Sequence, residues 1–214
     1  MYKLFKILGL FVIFISLNGF KPAKDFNLQN YCKEFLLNCD KKNTFLTIKT
    51  SKGLLKAELF GSTNPLTVAN FISNIEKGIY DKRNFYKIIN FPNNKILHFG
   101  IYPDRKKSLY ENEFKLLNNI PLEIKLNNQK EPIFNYQVLK PLNMRNLENR
   151  FQKGSIAMVK TAQNSSSATE FFFTLNKSPE LDGRYSVFGK IIEGYEILEK
   201  IDVNDRILKI EINY

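Results

Sequence analysis

The chain has 214 residues, a formal net charge of +11 and a hydrophobic fraction of 43%. The length suits one domain with an N-terminal extension, and the hydrophobic fraction is sufficient for a real core. Basic residues are scattered among acidic ones rather than gathered on one face, so the charge indicates a solvated surface and excludes a nucleic-acid partner. His98 is the only histidine, which argues against a metal site, and no cofactor is expected.

Residues 1–20 have the pattern of a targeting segment. Lys3 and Lys6 provide a positive start, and the apolar run at 7–17 has the length of a signal-peptide core. A spanning helix needs about 20 apolar residues. Small residues are missing from the positions that a cleavage site requires, so a cleaved signal peptide and an uncleaved anchor both stay open. We expect export to a periplasm or lumen, or membrane association through this segment.

Residues 21–43 are predicted to form a polar linker with one short amphipathic helix, because apolar residues recur at helical spacing from Leu28 onward. The only cysteines, Cys32 and Cys39, lie in this linker. Seven residues of continuous helix separate Cα atoms by about 10 Å, whereas a disulfide tolerates at most about 7 Å. Either the helix ends before Cys39 and a disulfide forms, or both cysteines are small buried apolar groups.

From residue 44 onward the pattern changes to short strands. Alternating polarity predicts a hairpin, and Pro65 opens a helix that ends near Gly78. The predicted strands of this half are 44–50, 54–60, 85–89 and 95–101. The glycine-free stretch 101–153 offers only two short strand candidates, 122–124 and 136–139, and a helical turn within 142–151.

The last third of the chain has the strongest pattern. The predicted elements are a strand at 154–159, a polar loop at 161–168, a strand at 170–175, a turn at 181–183, a strand at 187–191, a helix at 194–201 and a strand at 207–212. About eight strands and two helices fit a closed antiparallel barrel whose open ends are plugged by helices. We find no internal repeat and no second domain.

Two sets of motifs resemble those of the cyclophilin-type peptidyl-prolyl isomerases. The first set is NPLTVANF at 64–71, GIY at 78–80 and FYKII at 85–89. The second is GSIAMV at 154–159, TEFF at 169–172 and LDGRYSVFG at 181–189. The resemblance implies a mainly β cyclophilin-like domain over 44–214, a closed eight-stranded antiparallel barrel capped by two helices. It also implies a monomer whose partners are proline-containing polypeptide segments.

Isomerising an X-Pro bond means crossing a barrier near 20 kcal/mol by twisting a partial double bond. The enzyme grips the proline in an apolar pocket and stabilises the twisted amide, without covalent chemistry. The resemblance places the family's catalytic arginine at Lys87. A lysine keeps the charge but loses the planar fork of donors. Lys87 is therefore either a weakened catalytic group or an exposed strand lysine with no catalytic role.

The resemblance also assigns positions that bind the substrate. These are Ile96, Leu97, Phe99, Met158, Lys160, Glu170, Phe172, Leu181 and Tyr185. Phe172 is the expected floor of the proline pocket. Phe99 stands where the family has a glutamine that orients the arginine, so the polar part of the site is altered. Glu170 also replaces a glutamine, and its carboxylate can accept hydrogen bonds or pair with Lys87.

Two functions fit these residues. The first is an isomerase that assists the folding of exported proteins and is slow because of Lys87. The second is a non-catalytic relative that binds proline-bearing partners as a chaperone or assembly factor. A barrel that carries an apolar ligand in its lumen is a third class, and the run of phenylalanines at 171–173 argues against it because it predicts a filled interior.

Overall fold

The computed structural model describes residues 27–92, 94–101, 119–162 and 164–213. The predicted targeting segment lies outside the described residues. Within them, no helix is both long enough and apolar enough to cross a bilayer. The description begins at a short N-terminal helix, α1 (Leu28–Glu34), in the segment predicted to be a linker.

The end of α1 decides how the two cysteines are arranged. The helix stops at Glu34, and Leu36 adopts a left-handed conformation with φ of 54°, which turns the chain back on itself. Cys32 and Cys39 then lie 6.1 Å apart at their Cα atoms and form a disulfide. Of the two arrangements that the sequence left open, the disulfide is the one observed, because the helix is short.

Twelve strands, three further α-helices and one 3₁₀ helix (Pro179–Leu181) follow α1 in the described residues. The strands are β1 (Thr44–Thr50), β2 (Gly53–Leu59), β3 (Arg83–Asn84), β4 (Lys87–Phe91), β5 (Asn94–Phe99), β6 (Ile120–Pro121), β7 (Glu123–Ile124), β8 (Ile133–Phe134), β9 (Ser155–Ala162), β10 (Ser165–Thr174), β11 (Val187–Glu193) and β12 (Arg206–Asn213). The helices are α2 (Pro65–Glu76), α3 (Pro141–Met144) and α4 (Tyr195–Glu199). The predicted β1–β2 hairpin and the helix from Pro65 are confirmed.

The main sheet is antiparallel and strongly curled, with the strand order β3-β12-β1-β2-β11-β9-β10-β5-β4 and β6 added beside β10. The predicted mainly β fold is confirmed, but the sheet has ten strands and is open rather than a closed eight-stranded barrel. Residues 83–91 bring the two ends of the curled sheet close together, because β3 pairs with β12 and β4, which follows it in the chain, pairs with β5. No ladder of hydrogen bonds joins β3 to β4 within the described sheet, so the two ends are connected by the chain alone.

The predicted polar loop at 161–168 is largely strand, which corrects the sequence-based expectation. β10 begins at Ser165, and a bulge between Ser166 and Phe171 interrupts its pairing with β9. Inside the bulge, the Ala168 carbonyl accepts hydrogen bonds from Asn70 and Asn74 of α2, both at 2.7 Å. Ser166 and Ser167 are buried although they are polar, and the Ser167 hydroxyl accepts hydrogen bonds from the backbone N–H groups of Thr169 and Glu170 inside the bulge.

Aromatic side chains fill the space between the sheet and its two covering helices. The Phe71 ring of α2 lies 5.0 Å from the rings of Tyr80, Phe171 and Phe188. Leu198 of α4 belongs to the same buried cluster. Contacts between rings at this distance stabilise the core beyond the burial of their area. The filled interior argues against the function of carrying an apolar ligand in the lumen.

The segment 119–147 packs against α2 and the turn at residue 183. Both carboxylate oxygens of the buried Glu123 accept hydrogen bonds from α2, from the backbone N–H groups of Leu66 at 3.2 Å and Thr67 at 2.8 Å.

At the turn, the Val138 N–H donates to the Gly183 carbonyl. Gly183 has φ of +70°, and a Cβ there would meet the Val138 oxygen at 2.0 Å. Residues 136–139 are therefore not the predicted strand, and β7 pairs with β8 instead.

Candidate functional site

A cleft of about 310 Å³ lies on the face of the sheet that points away from the core. The residues that line it are Ile89, Phe91, Ile96, His98, Val159, Lys160, Phe172, Leu181 and Tyr185. Two larger grooves, of about 660 and 710 Å³, lie beside α1 and the disulfide-closed loop and include none of the predicted site residues. The cleft is therefore the candidate site, because it brings the predicted residues together.

Strand register explains which side chains reach the cleft. Lys87 lies directly opposite His98, and Ile89 opposite Ile96, in the β4–β5 pair. His98 in turn lies opposite Phe172 of β10. Directly opposed residues share one face of an antiparallel sheet. One continuous surface therefore carries an exposed lysine at its edge and apolar side chains at its centre.

Phe172 forms the floor of the cleft. Its ring stacks on His98 at 5.5 Å and on Phe151 at 5.8 Å, with interplanar angles of 21° and 12°. Tyr185 meets it edge-on at 5.3 Å. Only 3% of Phe172 is exposed, so its neighbours hold the ring in one orientation. The floor is thus a flat and rigid apolar surface of the kind that can receive a proline ring.

Three of the predicted substrate-binding residues lie elsewhere. Leu97, Phe99 and Met158 are fully buried in the core cluster between the sheet and the helices. Leu97 and Phe99 alternate along β5 with Ile96 and His98, and successive side chains of a strand point to opposite faces. Their assignment to the cleft is corrected accordingly. Five of the predicted residues do line the cleft: Ile96, Lys160, Phe172, Leu181 and Tyr185.

The sequence interpretation missed several residues that line the cleft, among them Ile89, Phe91 and His98, and His98 is the one that changes the polar chemistry. It occupies the position opposite Lys87 that was assigned to Phe99, one residue further along β5. Two signals were available in the sequence. His98 is the only histidine of the chain, and an alternating strand cannot place both Ile96 and Leu97 in one pocket. The observed register makes His98, not Phe99, the neighbour of the residue at the family's catalytic position.

A polar cluster borders the cleft next to His98. The Tyr86 hydroxyl donates to Glu170 at 2.8 Å and lies 3.4 Å from His98 Nδ1. Burial raises the pKa of Glu170, while hydrogen bonds from Tyr86 and Ser167 oppose that rise. Of the two roles expected for Glu170, accepting a hydrogen bond or pairing with Lys87, the structure shows the first, with Tyr86 as the donor.

Burial, and to a smaller extent the nearby charge of Lys87, lowers the pKa of His98 to about 4. The imidazole is therefore neutral at physiological pH and can exchange hydrogen bonds without adding charge. This leaves Lys87 as the exposed cation at this edge of the cleft. In the described part of the chain, no three potential metal ligands cluster together.

We expect the imidazole of His98 to titrate with a midpoint near 4 rather than at the ordinary value of about 6.5. Because the chain has one histidine, its ring proton signals in an NMR titration can be assigned directly. Lys87→Ala should raise the midpoint slightly, since it removes the smaller of the two causes. A midpoint at the ordinary value would show that the ring is solvated and is not stacked on Phe172.

Comparisons with known proteins agree with this geometry. The sequence model of a protein family described as "Cyclophilin type peptidyl-prolyl cis-trans isomerase/CLD" matches residues 45–211. A Helicobacter pylori (strain J99) peptidyl-prolyl cis-trans isomerase is 28% identical over 167 residues, covering 77% of this chain and 84% of the relative. The peptidyl-prolyl cis-trans isomerase A of Dickeya dadantii is 25% identical over 201 residues, covering 92% and 83%.

A putative thylakoid lumen peptidyl-prolyl cis-trans isomerase of Synechocystis is 28% identical over 174 residues. The aligned residues make up 76% of this chain but only 45% of the relative's length, so the chain spans less than half of that relative. Among solved structures, a Cryptosporidium parvum cyclophilin type isomerase superposes with a TM-score of 0.55 at 22% identity, covering 81% of this chain and 99% of its own. Its structure in the presence of the dipeptide Ala-Pro gives a TM-score of 0.53 at 23% identity, covering 79% and 99%. Both likenesses concern the fold.

Proposed function

Because the chain belongs to the cyclophilin-type peptidyl-prolyl cis-trans isomerase family, we propose that it isomerises X-Pro bonds in polypeptide segments. The observation that carries this proposal is the apolar cleft with Phe172 as its floor and Lys87 at its edge. Isomerisation needs an apolar seat for the proline and a donor that stabilises the twisted amide, and it needs no cofactor. Phe172 meets the first requirement and Lys87 the second, and both lie on the same face of the sheet.

In the proposed mechanism the proline ring packs on Phe172, between Ile96 and Leu181. The Lys87 ammonium donates a hydrogen bond to the prolyl carbonyl oxygen as the amide twists out of conjugation. Neutral His98, opposite Lys87 in the sheet, adds no competing positive charge. No bond to the enzyme forms or breaks. Since one ammonium cannot present the two parallel donors of a guanidinium, we propose that turnover is slow.

The remaining predicted residues take two kinds of role in this proposal. Tyr185, Lys160 and Glu170 border the cleft and contact the peptide on either side of the proline. Leu97, Phe99 and Met158 act from the core, where they hold β5 and β9 in place behind the cleft. For Leu97 and Phe99 this supporting role follows from the face of β5 on which their side chains lie.

We also propose that the protein acts on exported proteins, as a monomer, in a periplasm or lumen. The Synechocystis relative is named as a lumen protein. The Cys32–Cys39 disulfide favours an oxidising compartment. Cleavage of the targeting segment and retention as a membrane anchor both fit this proposal. Fractionation that finds the full-length chain in the cytosol would contradict it.

The second candidate function is non-catalytic binding of proline-bearing partners by the same cleft. The observation that favours it is the altered polar chemistry, with Lys87 at the arginine position and His98 opposite it. A protease-coupled isomerisation assay of the full chain on a proline tetrapeptide separates the two functions. Acceleration above the uncatalysed rate supports the isomerase, whereas peptide binding without acceleration supports the binding protein.

A further inference from the structure

Three described lysines hold their ammonium groups over aromatic rings. Lys153 lies 5.2 Å from the ring centre of Tyr195, and Lys190 lies 5.8 Å from that of Phe60. Lys160 lies 5.6 Å from the ring centre of Tyr185, at the cleft. A cation in this position is attracted to the ring face and is less free to move than an ordinary surface lysine.

Two of the three lysines also have a carboxylate partner on their own chain. Lys153 pairs with Glu199 at 3.0 Å, and Lys190 pairs with Glu58 at 3.2 Å. For Lys160, no carboxylate lies within 4.0 Å among the residues that the structure describes. Lys160 is nevertheless the half-buried one, while the other two are exposed. The lysine that most needs a counter-charge is therefore the one without it.

The surroundings of Lys160 point to a ligand as the source of that counter-charge. Tyr185, over which it lies, packs edge-on against the floor residue Phe172, so the ammonium stands beside the proline seat. The Glu170 carboxylate takes its hydrogen bond from Tyr86. Of the charged groups next to cleft residues in sequence, Asp182 pairs with Arg150 at 3.5 Å, Glu180 is exposed, and Arg184 donates to the Glu180 backbone carbonyl. Neither Lys160 nor Lys87, at the opposite edge, has a carboxylate within 4.0 Å in the described ranges of the chain.

We propose that Lys160 selects proline segments that carry an acidic side chain, Asp or Glu, next to the proline. The proposal rests on the proposed function, since it assumes that the proline itself occupies the cleft. A carboxylate of the peptide would give Lys160 the ion-pair partner that Glu199 gives Lys153 and Glu58 gives Lys190. A charge-assisted hydrogen bond at a half-buried position is stronger than one between fully exposed groups.

The test uses blocked peptides, acetylated and amidated, so that their only carboxylate is the side chain beside the proline. Three peptides carry Glu, its neutral isostere Gln, or Lys at that position. Binding to the full chain is measured by NMR titration, and isomerisation by NMR exchange between the cis and trans signals. We expect the Glu peptide to bind about three- to tenfold more tightly than the Gln peptide, and the Lys peptide to bind most weakly.

Variants assign the preference to one side chain. Lys160→Gln should remove it, Lys160→Glu should reverse it towards the Lys peptide, and Lys160→Arg should retain it. Lys153→Gln is the matched control, because it removes another lysine that lies over a tyrosine, and it should leave the preference unchanged. Equal binding of the Glu and Gln peptides, or a preference that survives Lys160→Gln, would overturn the proposal. A preference for the Glu peptide without faster isomerisation would support the role of Lys160 while refuting the isomerase function. Failure of this proposal can therefore be distinguished from failure of the proposed function.

Discussion

Replacing Lys87 with alanine should lower kcat/KM for X-Pro isomerisation by on the order of 10²-fold, while peptide affinity changes by only a few-fold. The reason is that different residues bind the peptide and stabilise the transition state. Lys87 provides the donor that acts on the twisted amide, whereas Phe172 and Ile96 provide apolar area that binds ground state and transition state alike. The measurement is the isomerisation rate of a proline tetrapeptide together with its dissociation constant.

Lys87→Arg is the complementary change and should raise the rate, because the guanidinium restores two parallel donors. The gain should be partial, since His98 rather than a carboxamide lies opposite the new side chain. Lys209→Ala on β12 serves as control, as it removes an exposed strand lysine that lies opposite Lys49 rather than opposite the cleft residue His98. If Lys87→Arg and Lys87→Ala both leave the rate unchanged, the cleft is a binding groove and the isomerase proposal is wrong.

The parts of the fold that depend on a local sequence pattern could be predicted from the sequence. The β1–β2 hairpin follows from alternation around a turn, and α2 follows from Pro65 in its first turn. The extension of β9 and β10 into the predicted loop at 161–168 could not be predicted, because its serines resemble a loop until Asn70 and Asn74 of α2 bind the bulge. That contact joins residues 94 or more positions apart, which no local window contains.

The candidate site shows the same difference between features set by local pattern and features set by long-range pairing. Phe172 and Leu181 lie in motifs whose spacing is local, and both reach the cleft. Phe99 was misassigned because its position depends on the register of β5 against β4 and β10. A shift of one residue moves every side chain of a strand to the opposite face. Motif matching along β5 did not fix that register, and alternation combined with the lone histidine would have.

Glu123 shows what the sequence could not indicate at all. It lies in a segment with weak pattern, yet its carboxylate accepts the N–H groups of Leu66 and Thr67 and the Thr67 hydroxyl at 2.7 Å. Helix N-termini leave such N–H groups without intrahelical partners, and side chains usually satisfy them from the same helix. Here Asn64, the capping residue, makes no such bond, and Glu123, 59 positions further along the chain, replaces it.

Glu123→Ala should therefore destabilise the protein by about 3 kcal/mol, because two buried backbone donors and one hydroxyl lose their acceptor. The measurement is the free energy of unfolding from chemical denaturation at neutral pH. Glu131→Ala is the matched control within the same segment. Its carboxylate pairs with Lys41 at 2.9 Å on the surface, and its loss should cost less than about 1 kcal/mol. Equal losses in the two variants would contradict the capping role of Glu123.

The pH dependence of stability should also carry the signature of Glu123. Burial raises its pKa to about 7, although the hydrogen bonds from Thr67 and Leu66 oppose the rise. The folded state thus binds this proton more tightly than the unfolded state, so the group's contribution is complete below about pH 4.5 and is lost as pH rises through 7. Glu123→Gln has no proton to lose, and the stability of wild type relative to this variant should fall by up to about 3 kcal/mol across that range. A relative stability that increases with pH would mean that the three donors outweigh burial and hold Glu123 as an anion.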